Sequence, residues 1–278
     1  MVKTAFKVAY IGTDFYGFQR QPDHPTVEGE LLRAFRKVGL SDNPENSSYS
    51  IAGRTDKGVH AMGNVVCLKT DTEVSVNQIN RHLPANIQII GQVKVPDGFK
   101  PRYAEYRHYR YILIKNPHDN FILNVEMMQK ASKLMEGEHN FKNFSKRCER
   151  EPIRNVYSIK ITQNNKVIVF DVVGRSFLWN MVRKMVKILT MIGKGDMLID
   201  EINILFNPDI HASITPVPPD GLILMDVIYN GIEFPNEAYA KNNFMKTLKE
   251  EYIQRKTIVA VEEEMIKVLK DCGKFQKP

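Results

Sequence analysis

The chain has 278 residues with a formal net charge of +7, and its pI is near 9.1. With 43% hydrophobic and 26% charged residues it has the make-up of a folded globular protein, which excludes a disordered or low-complexity chain. A basic surplus of this size points to a polyanionic partner, RNA or DNA above all.

The three cysteines, Cys67, Cys148 and Cys272, lie far apart with no C-x-x-C among them. That argues against a disulfide framework or a zinc knuckle. No apolar run approaches the roughly 20 residues needed to span a bilayer, and "MVKTAFKVAYIG" lacks signal-peptide shape. A cytoplasmic protein without membrane contact is expected.

In chain order, "AFKVAYIGT" alternates as a strand near residues 4–12. "TVEGELLRAFRKVG" places Val27, Leu31, Leu32, Phe35 and Val38 at helical spacing and stops at Gly39. Tyr49 to Ala52 and "NVVCLKT" (64–70) read as two strands. Ser75 and Gln78 fit a capping box on a short helix through Leu83, and "IQIIGQVKV" (87–95) is a further strand. The second half opens with the alternating strand "HYRYILIK" (108–115), followed by the helix "NVEMMQKASKLMEG" ended by Gly137. "NVYSIKITQ" and "KVIVFDVVG" flank Asn164 and Asn165, a compact hairpin signal. Ser176 is expected to cap the apolar helix "FLWNMVRKMVKILTMIG". A short helix at 199–206 and the strand "LILMDVIY" (222–229) complete the half.

Each half thus runs strand, helix, strand, strand, helix, strand, the ferredoxin-like order. The expected fold is α+β: two ferredoxin-like halves, 1–103 and 104–231, forming one extended mixed sheet with helices on one face and a cleft between the halves. From Pro235 to Gly273 there is no Gly or Pro between these two residues, and Lys and Glu dominate. Residues 232–278 therefore read as a helical extension, one long helix or a hairpin.

The stretch "AGRTDKGVHAMGNVV" (52–66) packs Arg54, Asp56, Lys57 and His60 between three glycines. It lacks the G-x-x-x-x-G-K-[ST] of a phosphate loop, and no G-x-S-x-G exists elsewhere. The seven histidines form no i, i+4 pair, so no metal site is expected. Glycines in a charged turn serve, at the least, positive φ angles. The wording goes further: it resembles the signature of the TruA family of tRNA pseudouridine synthases, G-R-T-D-x-G-V-H-A. "YIGTDFYGFQRQ" (10–21), "YRYILIKNP" (109–117), "RSFLWNMVRKMV" (175–186) and "DGLILMDVIY" (220–229) resemble further blocks of that family, in order, from about residue 4 to 230.

The resemblance implies isomerisation of uridine in the tRNA anticodon stem-loop (nucleotides 38 to 40), no cofactor, and a homodimer sharing one tRNA. It makes Asp56 the catalytic aspartate, acting as nucleophile toward sugar or base, or as a base at C2′. It makes Arg183 the cation that keeps Asp56 ionised and Tyr109 the ring stacked on the everted uracil. On the substrate side it suggests Arg54 for a phosphate or the displaced strand, Leu222 as an apolar wall, and Thr55 and His60 as residues that shape the loop. Arg54 and Asp56, two apart on an extended loop, are expected to point the same way. Arg20, Lys57, Arg81, Arg102, Arg107, Arg110 and Arg147 are grouped as a basic RNA-binding set. The alternative is a non-catalytic RNA-binding or chaperone protein of the same fold. The extension after residue 231 is where the chain departs from the shorter members of that family.

Overall fold

The computed structural model describes residues 2–40, 49–115, 123–146 and 151–272. Arg147, one of the expected RNA-binding residues, lies outside them. The elements are β1 (Val2–Tyr10), α1 (Val27–Lys37), β2 (Ser50–Ile51), β3 (His60–Thr70), α2 (Val76–Asn80), β4 (Ile87–Val95), β5 (Tyr106–Ile114), α3 (Val125–Lys133), β6 (Gly137–Asn140), β7 (Ile153–Asn164), β8 (Val167–Gly174), α4 (Met181–Lys194), α5 (Glu201–Leu205), β9 (Leu222–Ile228) and α6 (Ala238–Cys272).

Local chemistry sets these boundaries. Thr26 caps α1 by accepting from the Gly29 N–H; Glu28 and Glu30 occupy its first turn and Arg36 and Lys37 its last, each matching the helix dipole. The Ser75–Gln78 capping box on α2 is present in both directions. The β7–β8 hairpin pairs Asn164 with Val167, so its tight turn is Asn165–Lys166, one residue later than the Asn-Asn pair suggests. Asn165, at φ 50, supplies the left-handed residue such a turn needs.

Among the described residues, nine strands form one sheet in the order β4-β1-β3-β9-β5-β8-β7-β6, with β2 pairing β3 off that path. Each half shows the ferredoxin-like arrangement, and β6 adds an outer strand that the sequence did not announce. The halves join where β3 and β9 run parallel, His60 opposite Ile223 and Ala61 opposite Leu224. This junction lies directly beside the glycine-rich loop.

One continuous apolar core runs beneath both halves. Phe6, Phe18, Phe35, Leu31 and Leu68 fill it on the first side, and Phe141, Phe144 and Phe170 on the second. Residues of α1, α2, α3 and α4 all contribute to it. Beyond residue 231, Ala238–Cys272 form one long helix, with no hairpin among the described residues. Its Phe244 packs with Ala9, Ile11 and Ile90 in a separate small cluster. Ala240 of the same helix belongs to the main core, so α6 packs along the β4 edge of the sheet, against β4 and α2. No helix among the described residues is long and apolar enough to cross a membrane.

Candidate active site

The loop carrying Asp56 leaves β2 and enters β3, and buried polar contacts fix its path. Thr55 turns inward, its hydroxyl 2.8 Å from that of Tyr10, while its carbonyl accepts from the Phe18 N–H at 3.0 Å. The Asn64 amide donates to the Gly53 carbonyl at 3.0 Å. With Thr55 buried, its neighbours Arg54 and Asp56 both face the cleft. Gly58 has φ +83, a conformation that side-chain-bearing residues disfavour. Gly63 answers a different need: a Cβ there would stand 2.8 Å from both Asp226 Oδ1 and the Met225 carbonyl, so the absent side chain lets β3 approach β9.

Asp56 meets groups delivered by the second half of the chain. Arg183, in the first turn of α4, donates from Nη1 to Asp56 Oδ2 at 3.2 Å and from Nε to the Val217 carbonyl at 2.7 Å. Trp179 Nε1 donates to Asp56 Oδ1 at 2.6 Å. The two ion-pair side chains keep 29% exposure for Asp56 and 12% for Arg183. The pair is thus largely desolvated on the arginine side and open to the cleft on the carboxylate side. At about 4 Å and an effective dielectric near 20, such an attraction is about 4 kcal/mol before desolvation is subtracted.

Tyr109 arrives from β5. It is buried, its ring edge-on to Phe177 at 5.2 Å, and its hydroxyl lies beside Gly53. Burial pushes its phenol pKa up; Arg107 works against this and the Asp56 charge adds to it. The group therefore stays protonated, a neutral hydrogen-bonding hydroxyl at the cleft wall. Leu222 is buried and also lines the cleft.

The cleft holds about 1640 Å³, more than the few hundred to about 1000 Å³ of small-molecule pockets. Among the described residues, its walls carry nine Lys and Arg residues against two acids, Asp56 and Asp220. Arg54, Lys57, Arg102, Lys146 and Arg175 are the exposed cations among them. Lys57 stands over the Tyr16 ring at 3.9 Å and Lys146 over Trp179 at 4.5 Å.

The expected basic set does not converge as a whole. Lys57 and Arg102 line the cleft. Arg107 reaches its wall but is buried, and its guanidinium donates to the carbonyls of Ala52, Arg102 and Arg175. It ties three loops together and has little left for a phosphate. Arg110 alternates with Tyr109 on β5, so it faces the other side, where it grips Asp171 with Nε at 2.8 Å and Nη2 at 3.0 Å. Arg81 caps α2 and Arg20 lies beside Glu28; neither lines the cleft. His60 does not line it either. Its Nδ1 accepts from the Gly12 N–H at 3.1 Å and its Nε2 donates to the Asp220 carbonyl at 3.2 Å, so it bridges the two halves as a neutral ring. Burial lowers its pKa, with Arg255 acting in the same direction.

The sequence pattern missed Trp179, Asn180, Lys146 and Arg175. The helix expected from Ser176 begins only at Met181, and the residues before it form the loop that brings Trp179 to Asp56. Asn180 at φ 67 is the hinge of that loop. An asparagine ahead of an apolar helix was the available signal, because it tolerates the left-handed region.

Compared with protein families, residues 7–97 and 131–230 match the model described as tRNA pseudouridine synthase. The chain belongs to the tRNA pseudouridine synthase family. As a pseudouridine synthase of the TruA type it is an isomerase. It is 43% identical over 273 residues to the tRNA pseudouridine synthase A of Methanosphaera stadtmanae, covering 97% of this chain and 100% of that one. The protein of the same name from Methanobrevibacter smithii is 42% identical over 296 residues (99% and 100% covered). That from Methanothermobacter thermautotrophicus is 42% identical over 277 residues (99% of each). These alignments extend over the segment after β9, so this synthase shares α6's length of chain with its archaeal relatives.

Proposed function

We propose that the protein converts uridine to pseudouridine at nucleotides 38 to 40 of the tRNA anticodon stem-loop, with Asp56 as the reacting carboxylate. The observation that carries this reading is the Asp56–Arg183 pair, one member from each half of the sheet, at the floor of a cation-lined cleft. The uridine N1–C1′ bond breaks, the uracil turns, and C5 bonds to C1′. The C5 proton passes to solvent and N1 gains one, so atoms and electrons balance without a cofactor. Asp56 supplies the negative group at the sugar or base, and Arg183 holds its charge in place.

Everting a nucleotide costs a few kcal/mol. The exposed cations Arg54, Lys57, Arg102, Lys146 and Arg175 offset this through backbone phosphates. Tyr109 and Leu222 wall the base. Thr55, inward and bonded to Tyr10, and His60, bridging the halves, set the loop's shape. The resemblance further implies a cytoplasmic homodimer. The alternative, an RNA-binding protein without chemistry, leaves the Asp56 constellation without a use.

The test is tritium release from tRNA transcripts labelled at uracil C5. Release to water with the wild-type protein, lost stepwise as uridines 38 to 40 are replaced by cytidine, is expected. Tight tRNA binding without release would establish the alternative.

A further inference from the structure

Asp56 is held on both oxygens. Arg183 Nη1 reaches Oδ2 and Trp179 Nε1 reaches Oδ1, the shorter contact of the two at 2.6 Å. The same Arg183 Nη1 also donates to Asn180 Oδ1 at 2.9 Å. Asn180 follows Trp179 directly, so the four residues close a ring: Asp56, Trp179, Asn180, Arg183 and back to Asp56. The backbone of Asn180 sits at φ 67 and ψ 1, in the left-handed region, and its side chain makes no helix cap. A non-glycine residue there carries some backbone strain. A local conformation of that kind persists where the surroundings enforce it, and here its visible effect is to turn the indole toward the carboxylate.

Two further contacts fix the indole. The Trp179 carbonyl accepts from the Lys146 N–H at 3.1 Å. The Lys146 ammonium lies over the ring at 4.5 Å. A cation against the indole face draws electron density from the ring and makes its N–H a stronger donor. Trp179 is half-buried and lines the cleft, so its orientation is not one that core packing alone demands.

We infer that Trp179 is a positioning residue for the reaction: its indole N–H, aimed by left-handed Asn180 and backed by Lys146, fixes the plane of the Asp56 carboxylate against Arg183. A carboxylate held by one donor still rotates about its Cβ–Cγ bond; two donors from a closed ring remove that freedom before substrate arrives. Pre-organisation of this kind acts on the rate of the chemical step more than on substrate affinity. The inference rests on the reading of Asp56 as the reacting group.

The experiment pairs kinetics with a spectrum. Trp179→Phe keeps an aromatic ring while removing the N–H donor together with the five-membered part of the indole. Its kcat for tritium release is expected to fall about 10- to 100-fold, the range set by losing one charge-assisted hydrogen bond, with KM for tRNA within about threefold. Because the chain has one tryptophan, 15N-labelled protein gives one indole N–H resonance. That resonance is expected downfield in the wild type and upfield in Asp56→Ala, whose backbone amide spectrum reports on folding. A Trp179→Phe enzyme with wild-type kcat, a variant changed only in KM, or an indole resonance unmoved in Asp56→Ala would each overturn the inference. Failure of the underlying reading is seen separately, as a wild-type protein that releases no tritium.

Discussion

Asp56 and Arg183 stand 127 positions apart in the chain and 3.2 Å apart in space. Each was legible from its own motif, Asp56 from the glycine-flanked charged stretch and Arg183 from the N-x-V-R helix. Trp179 was not legible, because a tryptophan among Phe177, Leu178 and Met181 reads as one more apolar helix residue. Its role depends on a backbone turn that periodicity does not encode. The basic residues failed for a related reason. Charge alone does not say whether a guanidinium meets RNA or carbonyls, and Arg107, with three carbonyl partners, shows the second outcome. His60 carries a pH prediction. Burial lowers its folded-state pKa below the unfolded value of about 6.5. Its contribution to stability is then fully present above that value and is lost as pH falls from there through the folded-state pKa. Denaturant titrations from pH 7.5 to 5 should show a shallower loss of unfolding free energy in His60→Gln than in the wild type. Parallel curves would show that the histidine does not titrate on folding.

At the scale of elements, the ferredoxin-like order was readable because alternation and helical spacing survive in nearly every strand and helix. Boundaries moved where tertiary contacts compete with local pattern. β3 starts at His60 rather than Asn64, since pairing with β9 recruits the residues just after the glycine-rich loop. α4 starts at Met181, five residues after Ser176, since the intervening loop is used at the cleft. The three glycines of the opening stretch looked alike in sequence, yet Gly58 is required by its φ and Gly63 by proximity. Gly63→Ala puts a methyl group against the Met225 carbonyl at the junction of the halves. Overpacking of that kind costs about 1–3 kcal/mol. For a domain of this size the thermal midpoint should drop by about 2–10 °C. An unchanged midpoint would mean that the junction yields freely and does not fix the geometry of the cleft.

For the whole molecule, the repeated order of strands and helices foretold one sheet built from two halves. The position of α6 could not be foretold, because a Lys/Glu-rich helix carries no strong statement of what it packs on. Its 35 residues span about 50 Å at 1.5 Å per residue. Its first half is anchored, through buried Ala240 and Phe244 and a hydrogen bond from Arg255 Nη2 to Thr13 Oγ1 at 3.3 Å, and the side chains of residues 252–270 are otherwise exposed. A chain ending at residue 256 should melt within about 2 °C of the full chain. One ending at residue 237 loses the Phe244 contact, and removing a buried phenylalanine costs about 3–5 kcal/mol; its midpoint should fall by about 6 °C or more. Equal midpoints for the two would place the anchor elsewhere. The first truncation leaves every residue that lines the cleft in place.

The catalytic assignment of Asp56 is tested most directly by comparing Asp56→Ala with the wild type in single-turnover tritium release from C5-labelled tRNA, with tRNA affinity measured alongside. The assignment predicts no detectable release by the variant and an affinity within a few fold of the wild type. Release at the wild-type rate from Asp56→Ala would contradict it.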